Sequence, residues 1–257
     1  MSSNEGTSKT LIVAFSLSIV CAIFVSAATV MLKPVQEVNK ALDRKRNILA
    51  AAGMLEEGKS VEQQFSQIST RIVDLRTGKF VEDVDPKKYD QRKAAKDPAQ
   101  SEKLTAEQDL AKISRREHYA VVYVAQNAAG DIDKVILPIR GYGLWSTLYG
   151  FIAVEADANT IAGLGFYEHG ETPGLGGEVD NPRWKAFWPG KEVYRDGDVA
   201  VGLIKGSVDP AGANAPWQVD GLAGATLTSR GVTNLLHFWL GKNGFEPFLN
   251  NLRNGDA

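Results

Sequence analysis

The stretch HYAVVYVAQNAAGDIDKVILPI, His118–Ile139, sets the fold class. In an extended chain Tyr119, Val121, Tyr123 and Ala125 fall on one side, and Ala120, Val122 and Val124 on the other. Asn127 to Asp133 supplies the connecting turn, and 134–139 reads as the returning strand. Working outward, strands are expected at 150–156, 160–168 and 199–206. Upstream, residues 71–84 read as strand–turn–strand: Ile72, Val73 and Leu75, then Thr77-Gly78, then Phe80 and Val81. This spacing predicts an antiparallel sheet with helices added, an α+β domain. Val232, Leu235, Leu236, Trp239 and Leu240 recur at helical spacing, and Gly241 stands where that helix would end.

The N-terminal part has another character. From Thr10 to Leu32 there are 23 residues without a charge, bounded by Lys9 and Lys33. As a helix this run spans roughly 34 Å, enough for a hydrocarbon core of about 30 Å. It reads as a transmembrane anchor. A signal peptide cut after Val25-Ser26-Ala27 and a buried core helix are the alternatives. Lys33, Lys40, Arg44, Lys45 and Arg46 outnumber Lys9, and a count of flank charges alone would put the following domain in the cytoplasm. That count loses force when a long domain follows. The expected organisation is a short tail at 1–9, the anchor at 10–32, a helical and charged connecting region at 33–117 packed on the domain, and a core at 118–257. Helices are expected over 33–58 and 60–70. Residues 82–117 hold nine basic and nine acidic side chains and read as a solvated helix or loop.

Composition excludes several functions. With 29 Lys+Arg against 31 Asp+Glu, the net charge of −2 argues against a nucleic-acid partner. The single cysteine, Cys21, rules out an intrachain disulfide and a Cys-built zinc or iron–sulfur site.

Three segments could carry chemistry. Asp220-Gly-Leu-Ala-Gly-Ala-Thr-Leu-Thr-Ser-Arg-Gly231 runs small residues into a helix start, where unpaired N–H groups favour an anion. Thr226 and Thr228 place two hydroxyls there, although Thr and Ser also belong at helix starts as plain caps. Glu168-His-Gly-Glu-Thr-Pro-Gly-Leu-Gly-Gly177 packs four glycines into eight residues, a shaped loop suited to close approach. One histidine and two carboxylates there make a weak metal signature. Gly141-Tyr-Gly-Leu-Trp-Ser-Thr-Leu-Tyr-Gly150 offers aromatic surface for a ring system, or ordinary core. Lys205 could bring an ammonium to a ligand anion. His118 and His237 read as structural. G-x-S-x-G, the P-loop pattern and a dinucleotide fingerprint after a strand are all absent.

Asp220-x-x-Ala223-Gly224-Ala225-Thr226-x-Thr228 resembles the flavinylation motif of the FMN-binding domain family, D-x-x-[STA]-G-A-[ST]-x-T. The Glu171-Thr172-Pro173-Gly174-Leu175-Gly176 loop and the Gly-Tyr-Gly-Leu-Trp stretch also resemble that family. With anchor and length, the chain is similar to the C-subunit family of Na+-translocating NADH:quinone oxidoreductases. The near relatives are the usually shorter G subunits of Rnf electron-transport complexes. The resemblance implies FMN bound covalently to Thr228 through a phosphoester, attached by a separate flavin transferase with FAD as donor. It implies a domain on the periplasmic side of a bacterial inner membrane. It also implies the A, B, D, E and F subunits as partners, with NADH oxidised in another subunit and electrons relayed onward to ubiquinone. Thr226, Ala225, Gly224, Glu171, Thr172, Leu175, Gly176, Trp145 and Lys205 are the further candidate cofactor contacts, with the flavin ring between the Trp145 region and the Leu175 loop. No catalytic residue and no metal ligand are expected. The rival readings are a membrane-tethered module binding a small ligand and, far behind, a hydrolase using Thr226 or Thr228.

Overall fold

The computed structural model describes residues 6–257. Positions 1–5 of the expected tail lie outside them, and the chain is helical from Thr7, within the expected tail. The helices are α1 (Thr7–Ala51), α2 (Val61–Phe65), α3 (Gln91–Ala94), α4 (Pro182–Lys185), α5 (Thr226–Trp239) and α6 (Glu246–Asn254). The strands are β1 (Ile68–Asp74), β2 (Lys79–Val81), β3 (Ser101–Lys103), β4 (Arg115–Glu117), β5 (Tyr119–Gln126), β6 (Ile132–Tyr142), β7 (Thr147–Glu155), β8 (Ile161–Glu168), β9 (Tyr194–Arg195), β10 (Asp198–Val199), β11 (Gly202–Leu203) and β12 (Gln218–Val219).

The chain divides into two compact units, one ending at Arg44 and one spanning Lys45–Ala257. The first consists of the longer part of α1. Among the described residues α1 is the one helix long and apolar enough to cross a membrane. Its apolar side chains, from Leu11 to Val38, are exposed. The helix expected from residue 33 continues α1 without a break and ends at Ala51, with Pro34 inside it. Lacking an N–H, this proline leaves one carbonyl a turn earlier without its helical partner.

The second unit is built on a six-stranded antiparallel sheet in the order β2-β1-β5-β6-β7-β8. The β5–β6 hairpin pairs Val124 with Val135 and Tyr123 with Ile136, as the alternation requires. Both sheet faces are covered, so the strands are apolar on both sides. Ala120, Val122, Val124, Leu137 and Ile152 pack with Val232, Leu235, Leu236 and Trp239 of α5 and Phe248 of α6. On the other face Val121, Tyr123, Ile136 and Phe151 meet Ile48, Leu49, Ala51 and Ala52 at the end of α1.

Four sequence expectations are corrected. The helix over 60–70 stops at Phe65, because Ile68 and Ile72 are claimed by the sheet. The strand over 199–206 breaks into β10 and β11, because the Ala200 and Val201 amides both turn to the Val193 carbonyl, and β11 then pairs with β12 instead. The charged run 82–117 is not one solvated segment: it holds α3, β3 and β4, and it buries Arg116 and Glu117. The sheet also recruits β1 and β2 from before residue 118, where the core was expected to begin.

Glu117 explains how a charged segment enters the interior. Its side chain is 0 % exposed, pairs with Arg140 on β6 and accepts a 2.6 Å bond from Gln91 Nε2 on α3. Gln91 Oε1 in turn accepts from the Val121 amide at 3.0 Å. The buried Glu117 carboxylate and the Gln91 amide thereby each meet partners of opposite character.

Candidate functional site

The site is assembled at the N-terminus of α5. Its N-cap is Ala225, which has no side chain to bond the first turn. Thr226 is the first helical residue and Thr228 the third, so neither threonine is the plain cap that the sequence allowed. The amides of Thr226, Leu227 and Thr228 find no acceptor among the described residues, whereas Ala225 N bonds Leu222 O at 3.1 Å and Ser229 N bonds Ala225 O at 2.9 Å. Three N–H groups at the positive end of a helix are therefore open to an anion. Gly224, immediately before, has φ +70°, a conformation that favours glycine.

Thr228 is 1 % exposed, and its hydroxyl donates to Glu171 Oε2 at 2.7 Å. Glu171 is itself buried and receives further bonds from the amides of Leu144 (3.1 Å), Trp145 (3.0 Å) and Ser146 (3.2 Å). Burial pushes this carboxyl up. The Thr228 hydroxyl and the amides of Trp145, Leu144 and Ser146 outweigh that and hold it below the usual glutamate value. Glu171 thus joins three separate segments: the 143–146 turn, its own glycine loop and α5. The fit is close at two glycines. A Cβ on Gly176 would lie 2.5 Å from Thr228 Oγ1 and 2.8 Å from Glu171 Oε2, and one on Gly143 would lie 2.6 Å from Glu171 Oε1.

These bonds imply a pH dependence. A carboxyl whose pKa falls on folding contributes stability that is present above its ordinary value of 4.5 and is lost as pH falls through the lower folded value. The melting temperature is expected to hold its Glu171 contribution down to pH 4.5 and to lose it below. In Glu171→Gln that acid-dependent component is absent, which thermal scans of both proteins from pH 7 to pH 3 would measure.

The structure sorts the expected site residues into two groups. Glu171, Gly176, Thr228 and the Trp145 backbone meet directly. The Leu175 side chain lies over Gly224. Trp145 is 66 % exposed and Leu175 is also exposed, so both offer apolar surface to solvent. Thr172 acts through its carbonyl, which accepts from the amides of Leu175 and Gly177 and shapes the loop. Lys205, Gly224 and Thr226 instead line a cleft of about 540 Å³ together with Arg230. Thr226 and Arg230 share one face of α5, four residues apart, and Thr228 lies on another face. Arg230 was missed by sequence reasoning, and its spacing from Thr226 is the signal that could have found it. Ala225 is buried as the cap residue. His169 bonds Asp180 at 2.7 Å and accepts the Glu171 amide at 3.2 Å. Among the described residues no group of His, Cys, Asp and Glu could hold a metal. His237 bonds the Val201 carbonyl at 2.9 Å, a structural role.

An uncapped helix start for a phosphate, an anchored hydroxyl, exposed apolar side chains and a cleft with two cations form a donor set suited to FMN. A flavin-nucleotide-binding domain is the class to which these features lead, and the FMN-binding domain family matches residues 143–241. Over its whole length the chain is 58 % identical to the C subunit of the Na(+)-translocating NADH-quinone reductase of Pseudomonas aeruginosa, covering all of that protein. It is 51 % identical to the C subunit from Vibrio anguillarum, over 99 % of this chain and 98 % of that one. The crystal structure of Shewanella oneidensis NqrC superposes with a TM-score of 0.77 at 38 % identity, covering 84 % of this chain and 99 % of that one. The chain belongs to the family of C subunits of Na+-translocating NADH-quinone reductases, and it is membrane-anchored.

Proposed function

We propose that this chain carries FMN as a phosphoester on Thr228 and relays electrons between redox centres held by the A, B, D, E and F subunits of an Na+-translocating NADH:quinone oxidoreductase. The observation that carries the reading is the Thr228 hydroxyl, fixed by Glu171 in the first turn of an uncapped helix. When bound, the flavin supplies the electron-accepting and electron-donating chemistry. The chain's own residues do the holding. Thr228 provides the attachment oxygen, and Glu171 is placed to take its proton as the ester forms. The amides of Thr226, Leu227 and Thr228 face the phosphate charge, and Lys205 and Arg230 add positive charge at the neighbouring cleft. Trp145 and Leu175 give the ring apolar surface. A flavin transferase using FAD would make the ester, the Thr228 oxygen displacing AMP as the FAD pyrophosphate bond breaks, and the site lies in a domain we assign to the periplasmic side.

The test is flavin fluorescence of the full chain on a denaturing gel after co-expression with a flavin transferase. A fluorescent band at the 27.9 kDa chain is the expected result, with the added mass on the peptide holding Thr226 and Thr228. A dark band, with the transferase active on a control protein, would overturn the reading and favour a tethered binding module.

A further inference from the structure

We propose that a second cleft, on the side of the sheet edge where β7 and β8 begin and end, is a binding site for a phosphate-bearing anion. The cleft has a volume of about 610 Å³, within the range of small-molecule sites. Five cations line it, Arg92, Lys96, Lys112, Arg115 and Arg140, against one carboxylate, Glu168. In a chain with net charge −2 this is a strong local excess of one sign. Two of the arginines are committed. Arg92 pairs with Glu168 at 2.9 Å and stacks on the Tyr149 ring at 3.8 Å, and Arg140 pairs with the buried Glu117 behind the wall. Arg115 bonds only neutral groups, Ser101 Oγ at 2.9 Å and the carbonyls of Ser101 at 2.6 Å and Pro98 at 3.5 Å, so its charge is not cancelled by a direct ion pair. Lys96 and Lys112 have no side-chain hydrogen bond or ion pair among the described residues. Nearby Asp97 bonds Ala99 N and Gln100 and acts on Arg115 only through space, and Asp109 turns its carboxylate to the amides of Ile113 and Ser114.

A second observation is independent of charge. Lys112 and Ser114 both adopt positive φ, 54° and 64°, which non-glycine residues rarely do. The Asp109 carboxylate holds this turn through bonds of 2.7 and 2.8 Å. Lys112 thus enters the cleft wall from a turn whose backbone the Asp109 carboxylate fixes. Guanidinium and ammonium donors converging on one open volume match a phosphate oxygen set. The cleft is separate from the threonine site, although Thr147 and Tyr149 in its wall closely follow the 144–146 amides that bind Glu171.

The probe is inorganic pyrophosphate, titrated calorimetrically into the full chain in detergent at low ionic strength. Saturable binding that weakens with added salt is expected. The Lys96→Gln/Lys112→Gln double variant is expected to lose affinity by roughly tenfold or more, with an unchanged melting temperature because neither lysine has a partner in the fold. Absence of saturable binding, or equal affinity in the double variant, overturns the proposal. Competition identifies the source of the phosphate. Displacement of pyrophosphate by phosphatidylglycerol vesicles, in the parent but not in the double variant, supports the site and assigns it to a lipid headgroup. Displacement by adenosine diphosphate alone supports it and assigns a soluble phosphate ester.

Discussion

Thr228→Ala is expected to remove covalent flavin entirely, leaving a dark band where the parent chain fluoresces. The reason is geometric. Of the two motif threonines, only Thr228 has its hydroxyl oriented by an ionised carboxylate, at 2.7 Å from Glu171 Oε2. Thr226 faces the other cleft, with Lys205 and Arg230. Alanine leaves the fold intact, since Glu171 keeps its amide donors from residues 144–146. Thr228→Ser keeps a hydroxyl on a less restricted side chain and is expected to retain part of the yield. Mass spectrometry of the motif peptide distinguishes the outcomes. Covalent flavin persisting in Thr228→Ala would transfer the attachment to Thr226, while Thr226→Ala is expected to keep the Thr228 ester.

The largest stability effect is expected at Glu117. Glu117→Ala leaves Arg140, whose side chain is only 16 % exposed, without its buried counter-charge, and Gln91 without its acceptor. Breaking one side of a buried ion pair costs about 3–5 kcal/mol. Arg140 also links the sheet to α5, because its carbonyl accepts the Trp239 indole N–H at 2.7 Å. Chemical denaturation should show a lower midpoint with a slope close to that of the parent protein. A loss below about 1 kcal/mol would mean that Arg140 reaches water through the neighbouring cleft instead. Replacing both partners with apolar residues is expected to cost far less than Glu117→Ala, since no charge is then stranded.

What could be read in the sequence follows from the range of the interactions. The β5–β6 hairpin and the apolar stripe of α5 are written in local alternation, Tyr119 to Ala125 and Val232 to Trp239, and the structure contains both. The threonine motif is likewise one short contiguous segment, which is why it can be compared with a family pattern at all. Glu117 was not legible. Its partners Gln91 and Arg140 lie 26 and 23 residues away, so within its own stretch it is one of many charges. The role of Glu171 was half legible. The glycine loop marked it as a ligand contact, but its bonds to the 144–146 amides and to Thr228, 57 residues on, depend on tertiary closure. Trp145 was chosen for its ring, yet its firmest tie to the site is its backbone amide. The broken strand after 199 shows the opposite failure, where apolar residues between glycines suggested more continuity than the backbone sustains.

The bare start of α5 has a consequence for maturation. A helix whose first three amides face no acceptor is unfinished, and a capping side chain would ordinarily contribute about 1 kcal/mol there. An ester phosphate on Thr228 would supply the missing oxygens from outside the polypeptide. On that proposal the prosthetic group would close a gap that the amino-acid sequence leaves open. Apo and mature forms would differ in how firmly this turn is wound as well as in colour, giving a cell a physical distinction between loaded and unloaded copies of the same chain.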